Sequence, residues 1–358
     1  MSETCLSSAG RRSPSNRAAR SCGKEAMTAQ RRTPSQTVLT LTAVIALAAC
    51  ASAPSLEAAP KSGFIAAPGG PVWYEIMGDQ DAGGAPLVVL HGGPGGTSCW
   101  AQVLAPLGDE RPVVRYDQLG GGRSGRPDDT ALWNADRFVD ELDAVRRGLG
   151  MSKMHLLGHS WGATLAAYYV LEKGDEGIVS LTLSSPLIST PRWIADANLL
   201  RAQLPADVQR ALDDNERAGT TDSEAYKAAT AEFYSRHVSR GEAVEKHECP
   251  DAPGNSLIYN QMWGPTEFYA TGSLRDFDLS ARLGEIGAPT LFITGEFDEA
   301  RPETVKDFAR AVPGARFIVI PGVGHASSSR APDLYRRTVR DFIRAAENRA
   351  RPDAETGR

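Results

Sequence analysis

The sequence predicts an α/β protein: a mostly parallel central sheet flanked by helices, with a helical cap inserted late in the chain. Three observations predict it. Short, largely apolar runs recur at 86–90, 112–116, 153–157, 180–184, 289–294 and 315–320, as strands buried on both faces require. Helical periodicity stands between them, as in 138–149, where Phe138, Val139, Leu142, Val145 and Leu149 share one face. From about 187 to 284 the alternation stops, and helical stretches follow one another without apolar strands, which reads as an insertion over one edge of the sheet.

The chain has 358 residues, 41% hydrophobic and 23% charged, enough for one large domain with an insertion. A net charge of -5 gives no electrostatic reason to bind nucleic acid, and no such partner is expected. Residues 1–49 read as a signal region, with Met27 a candidate true start. In it Arg31-Arg32 precede an apolar run at 38–49, too short to span a bilayer as a stable helix. The run ends in Leu47-Ala48-Ala49-Cys50, which resembles the lipobox of bacterial lipoproteins; Cys50 is then the lipidated residue and the membrane a partner through that anchor. The alternative is an ordinary signal cut near Ala51 or Ala53. Either way an exported protein is expected.

Residues 50–61, small and polar with prolines, suit a tether. The first part of the core, 62–186, opens with a hairpin around Pro68-Gly69-Gly70. The run 86–90 leads into His91-Gly92-Gly93-Pro94-Gly95-Gly96, and the run 112–116 into Asp117-Gln118-Leu119-Gly120-Gly121-Gly122-Arg123-Ser124. Ligands of such sheets bind at the carboxyl ends of strands, where these loops lie. In the cap, 187–284, Thr190-Pro191 opens one helix and Thr221-Asp222-Ser223-Glu224 reads as a capping box before another at 225–238. The second part of the core, 285–346, closes with an amphipathic helix at 332–345, and 347–358 is a charged tail. Of five cysteines, Cys5 and Cys22 precede the lipobox; Cys99 and Cys249 neither require nor exclude a disulfide and match no metal-site spacing.

Gly158-His159-Ser160-Trp161-Gly162 follows an apolar run and precedes an Ala-rich helix. A serine between two glycines at a strand-to-helix turn reads as a nucleophile elbow, because the turn is too tight for side chains on its flanks. Serine needs a base, and the base an acid to orient it. In chain order the candidates are Asp298 in Gly295-Glu296-Phe297-Asp298 and His325 in Gly322-Val323-Gly324-His325, each just past a late strand. The rival acid Asp117 precedes the serine and reads as bracing its own loop with Arg123. The oxyanion donors are expected to be the N–H groups of Trp161 and Gly93, with Gly92 letting backbone approach substrate. No metal cluster, P-loop or dinucleotide fingerprint is visible, so no cofactor is expected.

These residues together resemble the α/β-hydrolase family, and more narrowly the proline iminopeptidase group of serine peptidases. The narrower resemblance rests on His91-Gly92-Gly93-Pro94-Gly95, the Asp117-Gln118 string ending in Arg123-Ser124, Trp161 after the serine, and Met262-Trp263-Gly264-Pro265-Thr266-Glu267-Phe268. It covers about 63–345 and departs from the group's pattern at Leu119 and Trp263. The resemblance implies release of an N-terminal residue, often proline, from a short peptide or amide, with the free ammonium held by cap carboxylates. Glu267 matches one such position; the other falls at Ala228, with Glu232 one turn away as a substitute. Two other readings stay open. One is an esterase or lactonase on the same scaffold, acting on an ester; the other is a binding protein that keeps the fold without catalysis.

Overall fold

The computed structural model describes Leu56, Ala59 and residues 61–350. The signal region, Cys50 and residues 351–358 lie outside the described residues. In chain order come β1 (Ser62–Ala67), β2 (Gly70–Met77), β3 (Leu87–Leu90), β4 (Val113–Tyr116), α1 (Ala135–Gly148), β5 (Met154–His159), α2 (Trp161–Lys173) and β6 (Ile178–Ser184). The cap supplies α3 (Thr190–Arg201), α4 (Ala206–Ala218), α5 (Glu224–His237) and α6 (Ser256–Met262). Then follow β7 (Thr290–Gly295), α7 (Pro302–Ala311), β8 (Arg316–Ile320), α8 (Ser327–Arg330) and α9 (Pro332–Ala350). The strands form one sheet in the order β1-β2-β4-β3-β5-β6-β7-β8. β1 and β2 pair antiparallel as the expected hairpin and β2 meets β4 antiparallel, whereas β4 through β8 run parallel.

Alternation along the buried strands divides the core. Val88 and Leu90 of β3 join Val114 and Leu156 against Phe138 and Leu142 of α1 and Leu165 of α2. Leu87 and Val89 face the other way, with Leu157 and Ile293, against Tyr335, Val339 and Phe342 of α9. Each side chain closed off in this way contributes roughly 1.5–3 kcal/mol, which is why strands this short hold.

The structure corrects or completes the sequence reading at several places. The N-cap of α5 is Ser223, which accepts from Tyr226 N–H at 3.1 Å, two residues past the expected Thr221. The last helix runs to Ala350, and Glu347, placed in the tail by its charge, instead accepts from Arg111 and His155 of the core. Helical elements that were not anticipated include a 3-10 segment, Ser98–Asp109, and α7, whose Val305, Phe308 and Ala309 are buried. Cys99 and Cys249, 150 residues apart, are joined by a disulfide.

Candidate active site

β5 delivers Ser160 into the turn before α2 with φ 57° and ψ -125°, a conformation that L-residues adopt at a cost. The flanking glycines have a steric cause. A Cβ on Gly158 would run into the carbonyl of Gly162, and one on Gly162 into the carbonyl of Leu90. Trp161 opens α2, so its N–H belongs to the first turn, where no intrahelical partner exists. Gly92 lies directly against Ser160, where a Cβ would stand 3.1 Å from that of the serine, and Gly93 has φ +120°. The loop that carries Gly93 and the first turn of α2 both adjoin the serine, and the peptide bond between Gly93 and Pro94 is cis.

The oxyanion loop is fixed from behind. His91 Nε2 accepts from the Gln118 N–H at 2.9 Å, which leaves Nδ1 to donate to the Gly92 carbonyl at 2.7 Å. The Gln118 amide donates to the His91 carbonyl and accepts from the Trp161 indole N–H at 3.0 Å. Asp117 has no part in this. It is buried, accepting from the backbone and hydroxyl of Ser98 and from the Arg123 N–H, which is the bracing role expected of it. Over the loop lies a strap of cap residues, 249–255. Besides the disulfide, it carries Asp251 paired with Arg123 at 2.8 Å, the Pro253 carbonyl accepting from Gly122 N–H, and Asn255 N–H donating to the Gly95 carbonyl at 2.7 Å.

Asp298 and His325 come from the loops after β7 and β8. His325 Nδ1 is 2.8 Å from Asp298 Oδ1, and both residues are buried. The loops are locked to each other and to the cap: Phe297 N–H donates to Val323, while the N–H groups of His325 and Ala326 donate to the carbonyls of His237 and Val238 at the end of α5. The His325 ring lies 4.7 Å from that of His159, the residue before the serine, and 5.8 Å from that of Trp193. The structure thus brings Ser160, Asp298 and His325 to one end of the sheet. Burial disfavours a charged Asp298, but His325, the Ser185 hydroxyl and the Ala300 N–H outweigh it and hold the carboxyl below its usual range. Burial likewise disfavours the imidazolium, yet Asp298, Glu299 and Glu267 push His325 up to about 9. His159, desolvated and beside His325, falls to about 3 and stays neutral.

Glu267 reaches this site, but Glu232 does not. The buried stripe of α5 is Tyr226, Ala229, Phe233 and His237, so positions 228 and 232 face away; Glu232 is half-exposed and paired with Arg236. The second carboxylate is Glu299, the residue after Asp298, 1% exposed and 3.9 Å from His325 Nδ1. Neither of its oxygens has a hydrogen-bond partner. Burial and the charge of Glu267 push its carboxyl well above the usual range, and burial raises that of Glu267 too. The buried Tyr259 hydroxyl lies near enough to Glu267 to favour its charge, without closing a hydrogen bond of good geometry. The backbone of Glu267 is held by Trp193, whose indole N–H donates to its carbonyl at 2.7 Å, and by its own N–H donating to the Tyr234 hydroxyl. Trp263 is buried against Trp193, its indole N–H on the Thr266 carbonyl. The signal for Glu299 was an acid directly after the candidate acid at the same strand end. Among the described residues no three His, Cys, Asp or Glu side chains are placed to hold a metal.

A serine elbow, an acid and a histidine at three strand ends of a parallel sheet define a serine hydrolase of the α/β-hydrolase class. The family model for that fold matches residues 85–332, and the chain belongs to this family. A proline iminopeptidase of Heyndrickxia coagulans is 43% identical over 284 residues, 78% of this chain and 98% of that protein. The solved proline iminopeptidase of Mycobacterium smegmatis is 35% identical with a TM-score of 0.72, covering 81% of this chain and all of that one. The structure of VinJ is 33% identical with a TM-score of 0.73, covering 80% and 98%. Within the α/β-hydrolases the chain is a member of the proline iminopeptidase family.

Proposed function

We propose that the protein is an aminopeptidase that releases the N-terminal residue of short peptides or amides through an acyl-enzyme. The observation that carries this is the pair Glu267 and Glu299. Two carboxylates beside the histidine, one sealed off with both oxygens unpartnered, are costly unless a cation arrives to meet them. A substrate ammonium is such a cation, and bound there it fixes its own residue against Ser160. Glu232 and Ala228 are not needed for this reading.

Ser160 Oγ attacks the scissile carbonyl as its proton passes to His325 Nε2, Nδ1 being engaged by Asp298. The N–H groups of Trp161 and Gly93 receive the developing oxyanion. Collapse breaks the C–N bond, and His325 returns the proton to the departing amine. A water then gives a proton to His325 and attacks the ester; the second collapse frees the carboxylic acid and restores the serine hydroxyl.

The test compares a free aminoacyl-arylamide, its N-acetylated form and an acyl ester of equal size. Glu267→Gln and Glu299→Gln should each lower kcat/KM for the free amine by roughly a hundred- to several thousand-fold, corresponding to about 3–5 kcal/mol for an uncompensated buried charge. The ester should not be slowed. Equal slowing of all three substrates would mean that the carboxylates support the cap, and the enzyme would then be an esterase.

A further inference from the structure

Among the described residues two that are not glycine have positive φ: Ser160, at 57°, and Ser185, at 47°. The first is explained by the elbow. Ser185 follows β6, is fully buried, and has no counterpart in the scheme above. Its N–H donates to the Ile293 carbonyl of β7 at 2.7 Å, and its hydroxyl donates to Asp298 Oδ2 at 2.6 Å. The residue before it, Ser184, accepts from the Ser160 N–H at 2.9 Å. Two consecutive residues thus join the backbone of the nucleophile to the side chain of the acid.

Asp298 is held at both oxygens. Oδ1 receives His325 Nδ1 and the Ala300 N–H, each at 2.8 Å. Oδ2 receives Ser185 and the Gly295 N–H at 3.2 Å; the Thr294 hydroxyl, 3.1 Å away, shares its one proton with the Ala300 carbonyl, which is closer at 2.7 Å. Ser185 makes the shortest of these bonds and is the one donor to Oδ2 from outside the β7 segment. Glycine would hold the same turn without strain, since a left-handed conformation is free to it and costs an L-residue. A side chain at this position is justified by what its hydroxyl does.

We propose that Ser185 is a positioning residue: its hydroxyl pins Oδ2 of Asp298 so that Oδ1 remains aimed at His325 Nδ1. The inference rests on Asp298 being the acid of the triad. Ser185→Gly removes the hydroxyl and relieves the backbone, whereas Ser185→Ala removes the hydroxyl and keeps the strain. If the hydroxyl matters, both variants lose kcat by about 10- to 100-fold on amide and ester alike, with KM nearly unchanged, although Ser185→Gly melts no lower than the parent. The acid limb of kcat should also move to higher pH. An aspartate with fewer donors keeps more of its charge for His325, which otherwise faces Glu299, Glu267 and His159. Asp298→Asn is the reference. If it is inactive while Ser185→Gly stays within twofold of the parent in kcat and pH profile, this proposal fails and the triad stands. If Asp298→Asn is itself near normal, the triad assignment fails first.

Discussion

His325 has the Asp298 carboxylate in contact, and Glu299 and Glu267 beyond it add to its basicity to the extent that they carry charge against their own burial. With its pKa up to about 9 the free enzyme holds the imidazolium at neutral pH, and the base is available only when that proton leaves. For an ester without an amine, kcat/KM should therefore climb with pH through about 9. A substrate ammonium between Glu267 and Glu299 offsets the same carboxylates and repels the imidazolium, so the acid limb of kcat for free-amine substrates should lie at lower pH. Glu267→Gln, with one negative charge fewer, should move the ester limb down and raise ester turnover at pH 7. Rate profiles from pH 5 to 10 on both substrates check this; a common limb near pH 6.5 would contradict it. Ser160, Asp298 and His325 were legible because each stands beside a strand signal in a fixed chain order. Glu299 and Ser185 were not read, because their roles depend on which side chains lack partners and on one backbone angle; the sequence marks Glu299 only as an acid next to Asp298 and Ser185 not at all.

Among the elements, the buried strands were readable because alternate residues of β3 must satisfy two cores at once. The cap was readable only as helices. Which face of α5 turns inward depends on packing against α3, α4 and Phe268, and this is why Glu232 was misassigned. The strap at 249–255 has no periodicity, and its partners Gly95, Cys99, Gly122 and Arg123 lie far away in sequence. Closing a loop of 150 residues, the disulfide should contribute roughly 2–5 kcal/mol. The double variant Cys99→Ser, Cys249→Ser should melt correspondingly lower. It should also lose kcat/KM, since Asn255 and the disulfide together hold the strap against the oxyanion loop. Unchanged melting and kinetics in the presence of dithiothreitol, with reduction verified by mass, would show the strap to be indifferent to its bond.

For the molecule as a whole, export is a proposal; a Cys99–Cys249 disulfide would persist in the oxidising compartment that it implies. Lipidation at Cys50 is a proposal with its own measurement. The parent should sediment with membranes, and Cys50→Ser should appear in the soluble fraction with full activity; a parent found wholly soluble would remove the anchor. Where the chain enters the fold then matters. Leu56 is buried beside Gln80, Pro86, Pro112, Met151 and Lys153, at the amino-terminal ends of β3, β4 and β5, and Gln80 donates to its carbonyl at 3.0 Å. The chain thus joins the described body at the end of the sheet opposite to the strand ends that carry Ser160, Asp298 and His325, so the way in and the working face share no residues.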